Sequence, residues 1–422
     1  MGEIADELLR PAASLLTPTT QSIDTLERSS VRQRTGAGRP SGPLKILHIL
    51  RAPVGGLFRH VIDVAQGQAK RGHWVGLIVD SMTGGGRADA MLADLAPRLA
   101  FGVERVAIPR HLSLGDIAAL RVVARRIAAV APHVLHGHGA KGAALARLAP
   151  RGRDGPIRVY TPHGGSLGYA PGTLGGGFYR MLERLLNRRT DLFLFESDYI
   201  AQAFRSKIGA PHGMVRIVRN GVGDADFVPV AIKADATDVV CVGELRDVKG
   251  IDILLEALAA LNQSSRRVTA TVAGDGPQRA ELPALAQRLG LDRQVRFVGY
   301  CPAREAFTMG KILTVCSRTE SLPYVVLEAA ASGMPIIATR VGGIGEIFGP
   351  DASRLIPAND PAALAQAIAA ALDDPAQSRA LALVLNARVH DRFTVDAMVD
   401  AGLAAYREAL AERKFGQSIT NF

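Results

Sequence analysis

The chain has 422 residues, more than one hydrophobic core usually organises, so two domains of roughly 150 to 200 residues each are expected. A hydrophobic content of 48% excludes general disorder, and no apolar run approaches the roughly 20 residues that span a bilayer. The net charge of +10 points to anionic partners.

The N-terminus, with Glu3, Asp6, Glu7 and Arg10 before any apolar stretch, lacks the basic start and apolar core of a secretory signal, so a cytoplasmic location is expected. Residues 1–43 are rich in Ser, Thr, Pro, Gly and Arg without sustained periodicity and read as a flexible extension. From Leu44 the pattern becomes short apolar runs alternating with amphipathic segments. The run Leu44-Lys-Ile-Leu-His-Ile-Leu50 leads into a Gly-Gly turn and a helix, and further strands are expected at 75–80, 133–137, 157–161 and 191–195. Continuous apolar strands separated by helix-length segments indicate a parallel sheet covered on both faces. Between two of these strands, residues 177–188 read as a helix with Phe178, Met181, Leu182, Leu185 and Leu186 beside Arg180, Arg184, Arg188 and Arg189. These arginines, with Arg121, Arg125 and Arg126, have no interleaved aromatics, which disfavours nucleic acid and favours a phosphorylated substrate or an anionic membrane surface.

After Asn220-Gly221, residues 222–237 hold Gly, Pro and acidic residues without a clear period and read as an interdomain linker. The alternation then restarts with strand 238–242, helix 251–261, strands 268–273, 295–298 and 312–316, helix 323–332 and strand 335–339. The domains are therefore expected at 44–225 and 226–390, with a helical segment from 391 onward packing back toward the first. The fold class is α/β, two doubly wound Rossmann-like domains facing across a cleft, where open sheets of this type bind ligands. Cys241, Cys301 and Cys316 are too few and too scattered for disulfides or zinc and read as packing residues.

Five motifs fall at strand ends. Gly55 and Gly56 open the first helix, where a ligand can approach backbone N–H groups. Gly137-His-Gly-Ala-Lys-Gly142 matches the dinucleotide fingerprint literally, making a nicotinamide-dependent oxidoreductase the main alternative. That reading needs an acidic residue at the end of the next strand, where Tyr160-Thr-Pro-His163 stands instead. His136 and His138, near His133, invite a metal, but no carboxylate or thiolate completes a set; His163 sits at a strand's carboxyl end with glycines clearing space around it. Arg246 and Lys249 lie in the loop Gly243-Glu-Leu-Arg-Asp-Val-Lys-Gly250, where cations can neutralise a diphosphate. Glu320 and Glu328, in Ser317-Arg-Thr-Glu-Ser-Leu-Pro-Tyr-Val-Val-Leu-Glu328, lie on either side of a Pro-marked helix start, so both can reach one ligand; such a pair also suggests the acid and nucleophile of a glycoside hydrolase.

The stretch from Ser317 to Gly343, with Asn220-Gly-Val222, Gly243 to Gly250, Ala273-Gly-Asp-Gly-Pro277 and Phe297-Val-Gly299 in the same order, resembles the donor-site signature of family 4 retaining glycosyltransferases of GT-B fold. The likeness runs from about Leu44 to Phe393 and is most specific in its second half. It implies metal-independent, retaining transfer of a hexose from a UDP- or GDP-sugar, without a cofactor, to a polysaccharide or lipid-linked saccharide. In that resemblance Glu320 contacts the donor sugar and Ser321 and Leu322 offer backbone N–H groups. Glu328 holds the ribose, Lys249 and Arg246 take the diphosphate, Gly55 and Gly56 allow close approach, and His163 lies beside the reacting sugar. The family commonly has Arg directly after the first Gly of the phosphate loop; here that residue is Glu244, so either Arg246 substitutes or Lys249 serves alone. A non-catalytic sugar-nucleotide-binding protein is a further alternative.

Overall fold

The computed structural model describes residues 42–419 apart from 151, 153, 154 and 165–173; nearly all of the extension expected at 1–43 lies outside it. The first half alternates strand and helix: β1 (Lys45–Leu50), α1 (Gly55–Lys70), β2 (Trp74–Asp80), α2 (Gly85–Leu95), β3 (Val103–Val106), α3 (Gly115–Val130) and β4 (Val134–His138). It continues with α4 (Gly139–Leu148), β5 (Ile157–Thr161), α5 (Leu174–Asn187), β6 (Leu192–Phe195), α6 (Asp198–Lys207) and β7 (Met214–Ile217). The second half runs through β8 (Thr237–Val242), α7 (Ile251–Gln263), β9 (Ala270–Ala273), α8 (Glu281–Arg288), β10 (Val295–Gly299), α9 (Ala303–Phe307) and β11 (Gly310–Val315). It closes with α10 (Tyr324–Ala331), β12 (Ile336–Ala338), α11 (Ile344–Phe348), α12 (Pro361–Asp373), α13 (Pro375–Arg392) and α14 (Val395–Ile419).

Two parallel sheets result, with strand orders β3-β2-β1-β4-β5-β6-β7 and β10-β9-β8-β11-β12. Burial explains the strand pattern: every residue of β1 after Lys45 is buried, because helices cover both faces of a parallel sheet. Two strands at sheet edges, β3 and β7, escape the sequence pattern. Both are four residues long, partly exposed and carry charge at Glu104, Arg105 and Arg216, so they lack the unbroken apolar run that marks the inner strands. The helical stretch from 391 is two helices broken at Phe393–Thr394, because the chain crosses between domains there.

That crossing is double. Val222, on the outward path, donates to Phe393 O at 2.8 Å and accepts from Val395 N at 3.0 Å on the return. The second strand of chain then becomes α14, whose Met398, Val399, Leu403, Tyr406 and Ala409 complete a core with Ile46, Val134, Val159 and Leu192 of the first sheet, Leu44 just before it and Val64 of α1. No described helix is long and apolar enough to cross a membrane.

Gly221 makes the crossing possible, since a Cβ there would lie 2.1 Å from Thr394 O and 2.3 Å from its carbonyl carbon. Gly221→Ala is therefore expected to lower the urea unfolding midpoint, at a cost of about 1–3 kcal/mol. Gly402→Ala on α14, where a Cβ meets nothing within 4 Å, is the control and should be neutral or stabilising.

Candidate active site

Both sheets reverse strand order between their first and fourth strands, β1/β4 and β8/β11, and the loops leaving β1, β8 and β11 carry Gly55, Lys249 and Glu320 or lead into them. In the second domain the loop after β8 brings Lys249 to the loop after β11. Its ammonium donates to Glu320 Oε1 at 2.6 Å, and Ser317 Oγ donates to the same oxygen at 2.6 Å. Gly250, at φ +61°, permits the turn: a Cβ there would lie 2.1 Å from Cys316 O. Gly343 N donates to Ser321 O at 2.7 Å, and Asn220 Nδ2 reaches across from the first domain to Leu322 O at 2.8 Å. The N–H groups of Ser321 and Leu322 have no acceptor among the described residues, so they are available to a ligand. Arg246 does not join this group; half-exposed, it donates to Glu244 Oε2 at 3.3 Å.

Gly55 (φ +60°) and Gly56 open α1, and a Cβ on Gly56 would lie 3.2 Å from the Tyr324 ring at the start of α10. One turn on, Arg59 stacks over that ring at 5.1 Å and donates to Glu328 and Asp226 of the second half and to Asp63 of its own helix. Burial opposes the Arg59 charge, but the three carboxylates outweigh it and keep the guanidinium firmly protonated. Burial raises the Glu328 carboxyl and pushes Asp63 up to about 6, with Arg59 pulling both back. Glu328 thus faces a cation from the opposite domain, and Glu320 has its own in Lys249. The two glutamates are separately neutralised and form no acid–nucleophile couple. Arg59 escaped the sequence reading because it is an interior residue of an amphipathic helix, with no motif to single it out.

The first domain holds a run of histidines, His48, His60, His136 and His138 buried and His163 partly so. His48 on β1 and His136 on β4 are paired in register, as are Leu50 and His138. His48 Nε2 meets Gln68 Oε1 at 2.9 Å, His48 Nδ1 meets His138 Nε2 at 2.9 Å, and His138 Nδ1 meets His163 Nε2 at 3.1 Å. His136 is held by Tyr406 OH at 2.7 Å and Thr161 Oγ1 at 2.9 Å, and His60 by Asn220 Oδ1 at 3.0 Å. Two sets of three, His48–His136–His138 and His60–His138–His163, have ring nitrogens within 4.8 Å of one another. Both ring nitrogens of His48, His136 and His138 are already hydrogen-bonded, so the first set is satisfied as a hydrogen-bond network rather than as a ligand cage, and the second could gain a ligand from His138 only by breaking one of these bonds. Burial lowers all five imidazoles, His48 and His60 to about 4, so they are neutral at pH 7. His163 has φ +51°, a left-handed turn that a non-glycine residue adopts at a cost.

Glu196, directly after β6, is a second residue the sequence did not single out. It is fully buried, neither carboxyl oxygen closes a hydrogen bond, and burial pushes it up to about 7 despite the nearby His163 N–H and Ser321. Its only sequence signal is a charged residue ending an apolar strand. The dinucleotide-like glycines serve packing: a Cβ on Gly137 would lie 2.2 Å from Ala143 Cα, and one on Gly142 would lie 2.4 Å from Ile49 O.

Residues 54–225 match the model of Glycosyltransferase Family 4, and residues 224–388 match that of Glycosyl transferases group 1. The chain is 32% identical over 197 residues to the putative colanic acid biosynthesis glycosyltransferase WcaL of Escherichia coli strain K12, covering 44% of this chain and 48% of that protein. It is 29% identical over 289 residues to glycogen synthase of Mycobacterium tuberculosis, covering 66% and 69%. The match therefore spans about half the length of the first relative and just over two thirds of the second. Among solved structures, sucrose-phosphate synthase from Thermosynechococcus elongatus superposes with a TM-score of 0.73 at 21% identity, covering 87% of this chain and 99% of that one. Anabaena Alr3699/HepE in complex with UDP does so with a TM-score of 0.67 at 20% identity, covering 90% and 100%.

The neutral histidines fix an acid limit. Below pH 6.5 the unfolded chain binds protons that the folded chain refuses until about pH 4, so stability falls as pH drops through that window, with His48 alone contributing roughly 3 kcal/mol. Glu196, Asp63 and Glu328, whose carboxyls burial raises, act oppositely and cost stability as pH rises, Glu196 up to about 7 and Asp63 up to about 6, but they are three groups against five. Urea midpoints measured across the window should decline toward acid in the native chain and decline less in His48→Asn.

Proposed function

Because the chain belongs to glycosyltransferase family 4 and has the GT-B fold, we propose that it moves a hexose from a nucleotide-sugar donor to a polysaccharide or lipid-linked saccharide, with retention at the anomeric carbon and without a metal. The carrying observation is the Lys249–Glu320 pair, with the unpartnered N–H groups of Ser321 and Leu322 beside it. A diphosphate draws Lys249 away from Glu320. The released carboxylate then accepts hydrogen bonds from sugar hydroxyls, while Ser317 holds its position. Ribose hydroxyls take Glu328, leaving Arg59 to Asp63 and Asp226. The charge on the departing diphosphate is stabilised by Lys249 and the backbone N–H groups, and its oxygen takes the acceptor's proton, so the protein need supply no base. Arg246 contributes only if it leaves Glu244. The donor base is UDP or GDP in this reading.

The oxidoreductase alternative is disfavoured by Gly137 and Gly142, whose missing side chains accommodate Ala143 and Ile49. A binding protein without turnover is disfavoured by the completeness of the Lys249, Glu320 and Glu328 set.

The acceptor side offers α5. Its Phe178, Met181 and Leu185 are 45%, 52% and 60% exposed, spaced along one helix face, with Arg184, Arg188 and Arg189 also exposed. We place an anionic lipid surface there, which makes the protein peripheral at the cytoplasmic face of a membrane.

A thermal-shift screen of UDP-, GDP- and ADP-sugars should yield one family of hits, since a ligand at 100 times its Kd stabilises the fold by about 2.7 kcal/mol. With that donor, Glu320→Ala is expected to lower kcat by at least about a hundredfold while its urea midpoint stays near that of the native chain; unchanged turnover refutes the assignment. Flotation with anionic liposomes should carry the native chain upward and leave Phe178→Ser/Leu185→Ser behind. Equal flotation of both removes α5 as the docking face.

A further inference from the structure

The histidine run has a direction. His48 meets the Gln68 carbonyl oxygen through Nε2, so that nitrogen carries the proton and Nδ1 is the acceptor. His138 must then donate from Nε2 to His48 and accept at Nδ1, and His163 must donate from Nε2 to His138. The remaining nitrogen, His163 Nδ1, is left with a lone pair and has no partner among the described residues. With its carbonyl on the histidine side, the Gln68 amide turns its NH2 toward the Tyr406 phenol without closing a hydrogen bond.

We propose that Gln68, His48 and His138 are positioning residues that lock His163 in the tautomer whose Nδ1 accepts a hydrogen bond from a hydroxyl of the bound sugar. This rests on the glycosyltransferase reading and deepens it: the ligand group opposite His163 is a hydroxyl, and a carboxylate at that position is repelled by the lone pair. The run orients and does not store a proton. If Nδ1 took a proton and each Nε2 proton moved one ring inward, the charge would arrive on His48, which is fully buried and hydrogen-bonded to a neutral amide oxygen and a neutral imidazole, with no carboxylate among the described residues to offset it. The relay therefore holds polarity at a distance: an amide on α1, three rings away, sets what the loop after β5 offers to substrate.

Alternative polarity is a concrete competitor. A flipped Gln68 amide donates to His48 Nε2 and reverses every bond in the run, so that His163 Nδ1 becomes a donor. Long-range proton–nitrogen correlation spectra of the full chain labelled with 15N-histidine distinguish the two without any ligand. The expected result is an unprotonated His163 Nδ1 in the native chain, kept in Gln68→Glu, which also accepts from His48, and lost to a mixture of tautomers in Gln68→Leu. A protonated Nδ1 in the native chain, or an unchanged His163 in Gln68→Leu, overturns the proposal. If Gln68→Leu fails to fold, His48→Phe, which also deprives His138 of its acceptor, takes its place under the same criteria. With a donor in hand, Gln68→Leu should lower kcat/KM about tenfold in the native background and have no effect in His163→Ala. An equal loss in both backgrounds shows that Gln68 acts otherwise and sinks the relay. Failure to find any nucleotide-sugar substrate defeats the functional reading but leaves the tautomer measurement standing.

Discussion

The constraint on which the rest depends is the double crossing at Val222 and Thr394. Two parallel sheets can each build a ligand edge alone, but a site shared between them needs those edges held in register. Two backbone hydrogen bonds between the outward and returning chain supply that, and Asn220, two residues before Val222, extends it into the site. Its amide oxygen holds His60 on α1, and its amide nitrogen holds the carbonyl of Leu322. A residue at the hinge thus touches the elements that face each other across the site, so movement at the crossing is felt at both.

Charge compensation is the second organising fact. Carboxylates at an enclosed interface are costly unless paired, and the site answers this with its own cations: Lys249 on Glu320, and Arg59 on Glu328, Asp226 and Asp63. A ligand with a diphosphate and hydroxyls is an exchange partner for both arrangements, since it brings anion to Lys249 and donors to the glutamates. Two cations hold four carboxylates in place, so a ligand that displaces either cation must supply donors to the carboxylates it releases.

Much of this was legible in the chain. The inner strands announce themselves because both faces are buried, and the loops after β8 and β11 carry enough glycine and charge to mark Lys249 and Glu320. The edge strands β3 and β7 were not legible, since partial exposure removes the apolar run that identifies a strand. Arg59, Glu196 and the histidine relay were invisible for another reason, and Asn220, though part of a recognised motif, showed nothing of its partners. Asn220 and Leu322 are 102 positions apart, and His48 and His138 are 90 apart, so their meaning exists only after the sheet sets the register. Sequence spacing reports what one element can do; contacts between elements belong to topology.

The return of α14 to the first domain has a consequence for synthesis. The face of the first sheet that carries Ile46, Val134 and Val159 is only partly covered, by Val64 of α1, until Met398, Val399 and Tyr406 arrive after the whole second domain has been made. On the ribosome the earlier half therefore emerges with a partly open apolar face and a histidine, His136, lacking its phenol partner. The second sheet, whose segments are contiguous, can close first. The half that begins the chain is thus the half that finishes last, and its nascent form is the stage at which a chaperone has something to hold.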